Sequence, residues 1–311
     1  MSLVSIVKNE DIIKEKLNYI LGKDIRIVLR ECLEAQYDMM RENLNSNMIK
    51  KRYFNSNISG KELLNALYQH IYSHNHIALT DEIFETLDAN NIKNEKYLKC
   101  EDTELAELLI AEEIIDTFHF ILEYTILLEE HYLLTLENPD KITVDNLPFY
   151  YIHKNSFWKG VLAMLYKESN HILHYINENG EVEINKIIAN SDYFLLINFL
   201  KEMLKNNRDF IRLCNFKDWK HYPDNYYSPY LFGELFKINR EMYVNCVNAL
   251  SFTFNSLIKY LDVDIEYSTE NILKLMYAVY MAKREENIRR QNNDPRYTGK
   301  NEGEVVGVNV N

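Results

Sequence analysis

The sequence has few of the residues that interrupt helices. Among its 311 residues there are only 8 glycines and 5 prolines. These two residue types are the least favourable in helix interiors. Their scarcity, together with many Leu, Ile, Glu, Lys and Asn residues, predicts a chain dominated by long helices. We find no succession of alternating strand patterns.

Basic residues are fewer than acidic ones, 35 against 47, and the formal net charge is -12. This balance disfavours a protein that binds duplex nucleic acid by neutralising its phosphates. It does not exclude nucleotides as ligands, because bound metal ions can supply the positive charge instead.

Cysteine motifs and long apolar runs are absent from the sequence. The four cysteines lack CxxC or other zinc spacing, which indicates reduced thiols rather than a disulfide framework. They are Cys32, Cys100, Cys214 and Cys246. The first residues show no signal-peptide pattern, and no run of about 18 uncharged apolar residues is present. We therefore expect a cytoplasmic protein without a membrane span.

Amphipathic helical periodicity recurs along most of the chain. The predicted helices are approximately Glu10–Leu21, Ile25–Asn43, Gly60–His74, Thr80–Ala89, Asp102–Leu136, Ser156–Asn177, Ile184–Asn206, Pro229–Tyr260 and Thr269–Gln291. Short extended pieces are expected at 141–144 and 180–184. The fold class is predicted to be all-α, with a single domain over residues 1–298 and a flexible C-terminal tail over 299–311.

An acidic pair in an apolar helix is the first candidate for a functional site. Glu113 and Asp116 are three residues apart and therefore share one helix face, with apolar residues on both sides. Carboxylates in such surroundings are not buried without compensation. The bland alternative is a solvated helix face, since an acidic helical protein produces such pairs by chance.

A second pair, Glu31 and Glu34, lies on an equally amphipathic helix. Two helices packed antiparallel, each presenting one acidic face, would place four carboxylates around one cavity. Mg²⁺ prefers carboxylate and water ligands and commonly binds substrate phosphates as well. The two pairs together predict a magnesium site.

The third cluster lies near the C-terminus, where Lys283, Asn287 and Arg290 follow at i, i+4 and i+7. Residues at this spacing form one stripe of a helix. A lysine, an amide and an arginine suit a polyphosphate. Taken alone, the stripe is better explained by the preference of basic residues for a solvated helix C-terminus.

The three clusters together resemble the all-α dimeric dUTPases, relatives of the MazG-like pyrophosphohydrolases and of phage dCTPase and dUTPase enzymes. The resemblance is carried by Glu31-Cys32-Leu33-Glu34, by Glu113 to Phe120, and by the C-terminal sequence from Tyr280 to Gln291. It implies a helical bundle with an acidic metal-binding core, inserted helices at about 55–100, and a homodimer.

The resemblance also implies site residues and a reaction. Two or three Mg²⁺ ions, with Mn²⁺ as a possible substitute, would bind the triphosphate and activate a water. The products would be dUMP and pyrophosphate, and dUDP could also be a substrate. The implied metal ligands are Glu31, Glu34, Glu113 and Asp116; the catalytic residues are Glu34, Lys283 and Arg290; the substrate-binding residues are Asn18, Tyr280, Lys283, Asn287, Arg290 and Gln291.

Two alternatives stay open at this point. The first is hydrolysis of dCTP or another deoxynucleoside triphosphate, because the residues that would select the base have no clear equivalent. The second is a non-enzymatic helical interaction protein, such as a phage or regulatory factor, whose acidic faces are solvated. His119 is interpreted as a hydrogen-bonded core residue rather than a site residue.

Overall fold

Helices account for all regular structure in the part of the chain that the computed structural model describes, residues 5–45, 60–91, 103–136, 193–214 and 229–291. The all-α class is therefore confirmed for these residues. The elements are α1 (Ser5–Lys8), α2 (Glu10–Leu21), α3 (Ile25–Asn45), α4 (Gly60–Asn91), α5 (Thr103–Leu136), α6 (Tyr193–Leu213), α7 (Pro229–Ser251), α8 (Phe254–Tyr260) and α9 (Thr269–Gln291).

The helices differ from the predicted ones mainly in where they end, and α6 continues to Leu213, beyond the predicted end at Asn206. The two helices expected at Gly60–His74 and Thr80–Ala89 are one continuous helix, α4. The expected Pro229–Tyr260 helix divides into α7 and α8. The predicted helix Ser156–Asn177, the extended pieces at 141–144 and 180–184 and the tail 299–311 lie outside the described residues.

Helix α5 forms the centre of the fold. Every residue from Ile114 to His131 is buried or partly buried, and α5 packs against α3, α4, α7, α8 and α9. A helix that is apolar around most of its circumference must be enclosed by other elements. Glu113 and Asp116, near the beginning of this buried stretch, are therefore held on an enclosed helix.

An aromatic cluster fixes α9 against α5 and α7. The ring of Phe118 lies 6.0 Å from Tyr243, 5.6 Å from Tyr277 and 5.7 Å from Tyr280, measured between centroids. Such ring pairs add about 0.5–1.5 kcal/mol each to the free energy gained by burial. The packing sets the position of Lys283, which follows Tyr280 by one turn of α9.

The described cysteines agree with the expectation from the sequence. Cys32, Cys214 and Cys246 are free thiols and all are buried. Among the helices that the structure describes, none combines the length and the apolar character needed to cross a bilayer.

Candidate metal centre

Three carboxylates from two helices meet at one point. Glu113 and Asp116 come from α5, and Glu82 comes from α4, which packs along it. One carboxylate oxygen of each residue lies within 4.8 Å of the others. In the part of the chain that the structure describes, this group has the composition and closeness of a metal-ligand set.

Burial, together with nearby like charges, makes the carboxyl groups of Glu82 and Glu113 hard to ionise. Burial, with the nearby charges of Asp116, Glu85 and Glu113, raises the pKa of Glu82 to about 8. Burial also raises the pKa of Glu113 to about 8, although the charge of Lys283 acts in the opposite direction. A group of this kind is stabilised by a cation placed among its oxygens.

Lys283 of α9 supplies one positive charge to the group. Its ammonium donates hydrogen bonds to Asp116 Oδ2 and, over 3.3 Å, to Glu112 Oε1. The side chain is almost fully buried. Burial disfavours its charge, but the carboxylates of Asp116, Glu112 and Glu113 outweigh that effect and raise the pKa of Lys283 above its ordinary value.

The structure does not bring Glu31 and Glu34 to this centre, contrary to the expected four-carboxylate cage. Glu31 Oε1 instead lies 2.5 Å from Lys23 Nζ, and Glu34 Oε1 lies 2.7 Å from Arg30 Nε. The reason is the orientation of α3, which turns Cys32, Leu33 and Gln36 towards α5 and α9. Glu31 and Glu34 consequently lie on the outer part of the helix.

The third carboxylate is one that the sequence analysis missed. Glu82 and Glu85 also form an ExxE pair, in a segment that was interpreted as part of an insertion. Glu85 is exposed, but its charge contributes to the raised pKa of both Glu82 and Glu113. The i, i+3 spacing of Glu82 and Glu85 was the sequence feature that could have indicated a site. Glu31 and Glu34 on α3 have the same spacing, so this feature does not distinguish the two pairs.

The residues predicted to bind substrate lie in different environments, and among those whose side chains are described Lys283 is the one shown beside the carboxylates. Lys283 adjoins the carboxylates, Asn287 is partly buried, and Asn18 is exposed on α2. Tyr280 is fully enclosed, and its hydroxyl donates a 2.7 Å hydrogen bond to Gln36 Oε1. The side chains of Arg290 and Gln291 lie outside the described residues.

His119 is a hydrogen-bonded core residue, as expected. Its Nδ1 donates to Gln36 Oε1 over 3.2 Å, and its ring packs 4.4 Å from that of Tyr280. Burial, with the charges of Lys283 and Arg284, lowers the pKa of His119 to about 3. The imidazole is therefore neutral at physiological pH.

Comparisons with known proteins leave the family of this chain open. No protein-family model matches it, and no solved structure matches it. A stretch of 131 residues is 27% identical to the valine–tRNA ligase of Ehrlichia canis (strain Jake), covering 39% of this chain and 16% of that enzyme. The chain thus aligns with a small part of the ligase, and this similarity assigns no family.

Proposed function

We propose that this protein is a Mg²⁺-dependent nucleoside triphosphate pyrophosphohydrolase that converts dUTP to dUMP and pyrophosphate. The observation that supports this best is the convergence of Glu82, Glu113 and Asp116, with Lys283 beside them. Enclosed carboxylates next to a lysine combine oxygen ligands for a metal with a positive charge for a phosphate.

The chemistry of the centre fits a hard divalent cation. All the grouped ligand atoms are carboxylate oxygens, which Mg²⁺ and Mn²⁺ both accept. We assign Glu82, Glu113 and Asp116 as ligands and place Glu85 at the exposed edge of the same centre. When bound, the cation would lower the pKa of a coordinated water and offset the charge of the phosphates.

The protein's own residues supply the rest of the chemistry. Lys283 would neutralise charge that builds on the phosphate oxygens, and Asn287 would donate a hydrogen bond from the same side of α9. We assign activation of the water to Glu85 rather than to Glu34, the carboxylate that the resemblance implies as catalytic. Glu85 is solvent-exposed and electrostatically coupled to Glu82 and Glu113, whereas Glu34 is paired with Arg30.

The proposed base of the substrate and the proposed oligomeric state are supported by the resemblance to the all-α dimeric dUTPases alone. It supports dUTP, with dUDP as a further substrate, and a homodimer. The cytoplasmic location that we propose is supported by the cysteine spacing, which is typical of reduced thiols. Hydrolysis of dCTP or another deoxynucleoside triphosphate would use the same centre and differ only in the base-binding residues.

The proposal is tested by incubating the purified protein with a panel of deoxynucleoside triphosphates and Mg²⁺ and by measuring pyrophosphate and monophosphate. We expect release that is fastest with dUTP and is stopped by a chelator. Glu113→Ala should lose at least about 100-fold in rate, because it removes a metal ligand. A preference for dCTP would retain the mechanism and change the substrate. Release from none of the nucleotides would favour the non-enzymatic interaction protein.

A further inference from the structure

We propose that the Lys283 ammonium competes with a divalent cation for Asp116, and that a bound cation would displace the ammonium from Asp116 towards the phosphates of the substrate. This inference rests on the proposed function. It adds an exchange step, in which one side chain is a counter-ion before metal binding and a phosphate ligand afterwards.

The position of the ammonium is the first argument. Lys283 donates to Asp116 Oδ2, an oxygen of the residue that the metal would also use. A carboxylate oxygen that accepts a close hydrogen bond from an ammonium offers less electron density to a metal. Lys283 and the metal therefore compete for Asp116.

The charge of the centre is the second argument. The ammonium brings one positive charge to a group of three carboxyl groups, Glu82, Glu113 and Asp116, whose oxygens lie within 4.8 Å of one another. A divalent cation brings twice that charge to the same oxygens. It also repels the ammonium, so the exchange is favoured when the metal is abundant.

Glu112 gives the displaced ammonium a second partner. Its Oε1 lies 3.3 Å from Lys283 Nζ, and Glu112 is not a member of the grouped ligands. The long lysine stem allows the ammonium to leave Asp116 while it stays near Glu112. It would then remain on the edge of the centre, where a triphosphate bound to the metal could meet it.

The test measures binding of Mn²⁺ to the full-length protein by the electron paramagnetic resonance signal of the free ion, without nucleotide. We expect Lys283→Met to bind Mn²⁺ at least about 10-fold more tightly than the wild type, because the competing ammonium is gone. Lys274→Met is the matched control. Lys274 is also a buried lysine of α9, but it donates to the Leu21 carbonyl and pairs with Glu270, so its loss should leave Mn²⁺ affinity unchanged.

Equal or weaker Mn²⁺ binding by a folded Lys283→Met variant would overturn the exchange, because Lys283 would then not compete with the metal. Absence of Mn²⁺ binding in the wild type would instead contradict the proposed function itself. A second measurement avoids the variant: nuclear magnetic resonance of ¹⁵N-labelled lysine ammonium groups in the wild type. We expect the Lys283 signal to shift and to exchange faster with water on Mg²⁺ addition. An unchanged signal at saturating Mg²⁺ would also overturn the exchange.

Discussion

Glu130 is a buried carboxyl group that lies outside the candidate centre and should limit stability at alkaline pH. Burial raises its pKa to about 8, although a hydrogen bond with Tyr68 acts against the increase. In the unfolded chain the same group titrates near its ordinary value of 4.5. The folded state therefore holds the proton more tightly, and its stability falls as the pH rises from about 4.5 through 8.

We expect Glu130→Gln to be more stable than the wild type at pH 8, by on the order of 2 kcal/mol, and nearly equal to it at pH 5. Urea unfolding at the two pH values measures this. The same difference at both pH values would show that the gain does not come from the ionisation of Glu130.

Gln36 connects three helices through its side-chain amide. Its Oε1 accepts hydrogen bonds from Tyr280 and His119, and its Nε2 donates to Glu123 Oε1 over 3.0 Å. Gln36→Leu removes all three of these hydrogen bonds at once, so that the buried polar atoms of Tyr280, His119 and Glu123 lose their bond to the amide. We expect a loss of about 2–4 kcal/mol in the free energy of unfolding.

Tyr280→Phe serves as the comparison, because it removes one of those hydrogen bonds and keeps the aromatic packing. It should cost about 1 kcal/mol. Chemical denaturation of both variants measures the difference. An equal loss in the two would mean that the amide does not link His119 and Glu123 to the core.

At the scale of elements, much of the fold follows from periodicity. Helices α2 and α9 have the predicted bounds because apolar residues recur there at helical spacing and turn-forming residues flank them. Helix α4 differs because it continues through residues 75–79, which separate the two predicted helices. In the fold, Asn75 donates a hydrogen bond to the Phe120 carbonyl of α5 over 3.1 Å. Tertiary contacts of this kind stabilise the helical conformation across this segment.

The continuity of α4 is testable at Ala78, which lies between the two helices predicted from the sequence. We expect Ala78→Pro to cost at least about 3 kcal/mol, because it removes a helical hydrogen bond and introduces a clash. Ala78→Gly should cost about 1 kcal/mol. Thermal unfolding compares the two, and a proline tolerated at this position would support the break instead.

Only the part of the candidate centre on α5 could be predicted from the sequence, because the rest depends on tertiary packing, as the continuity of α4 does. The spacing of Glu113 and Asp116 in an apolar stretch identified the α5 side, since burial there follows from composition. The spacing could not decide between Glu31–Glu34 and Glu82–Glu85, because both pairs share a helix face. That choice depends on how α3 and α4 are rotated against α5, which is a property of the packed molecule.

For the whole molecule, a bound cation should stabilise the fold, because its ligands come from both α4 and α5. Any ligand that binds only the folded state stabilises it, by about 2.7 kcal/mol at one hundred times its Kd. We expect saturating Mg²⁺ to raise the Tm by roughly 3–8 °C, measured by circular dichroism.

Glu113→Gln should separate this effect from unspecific salt. The variant should show no Mg²⁺-dependent increase in Tm, because a ligand is missing. Without Mg²⁺ at pH 8 it should be more stable than the wild type, since the raised pKa of Glu113 means that ionisation above pH 4.5 costs the wild type folding free energy. An equal Mg²⁺ response in both proteins would place the cation elsewhere.

The most direct test of the account compares Mg²⁺-dependent pyrophosphate release from dUTP in the wild type, Glu82→Gln and Glu31→Gln. The two variants make the same change at the first residue of two ExxE pairs. Glu82 lies at the candidate centre, whereas Glu31 forms an ion pair with Lys23. We expect Glu82→Gln to lose at least about 100-fold in rate and Glu31→Gln to stay within about 3-fold of the wild type. Loss of activity in Glu31→Gln with Glu82→Gln unaffected would contradict the centre described here.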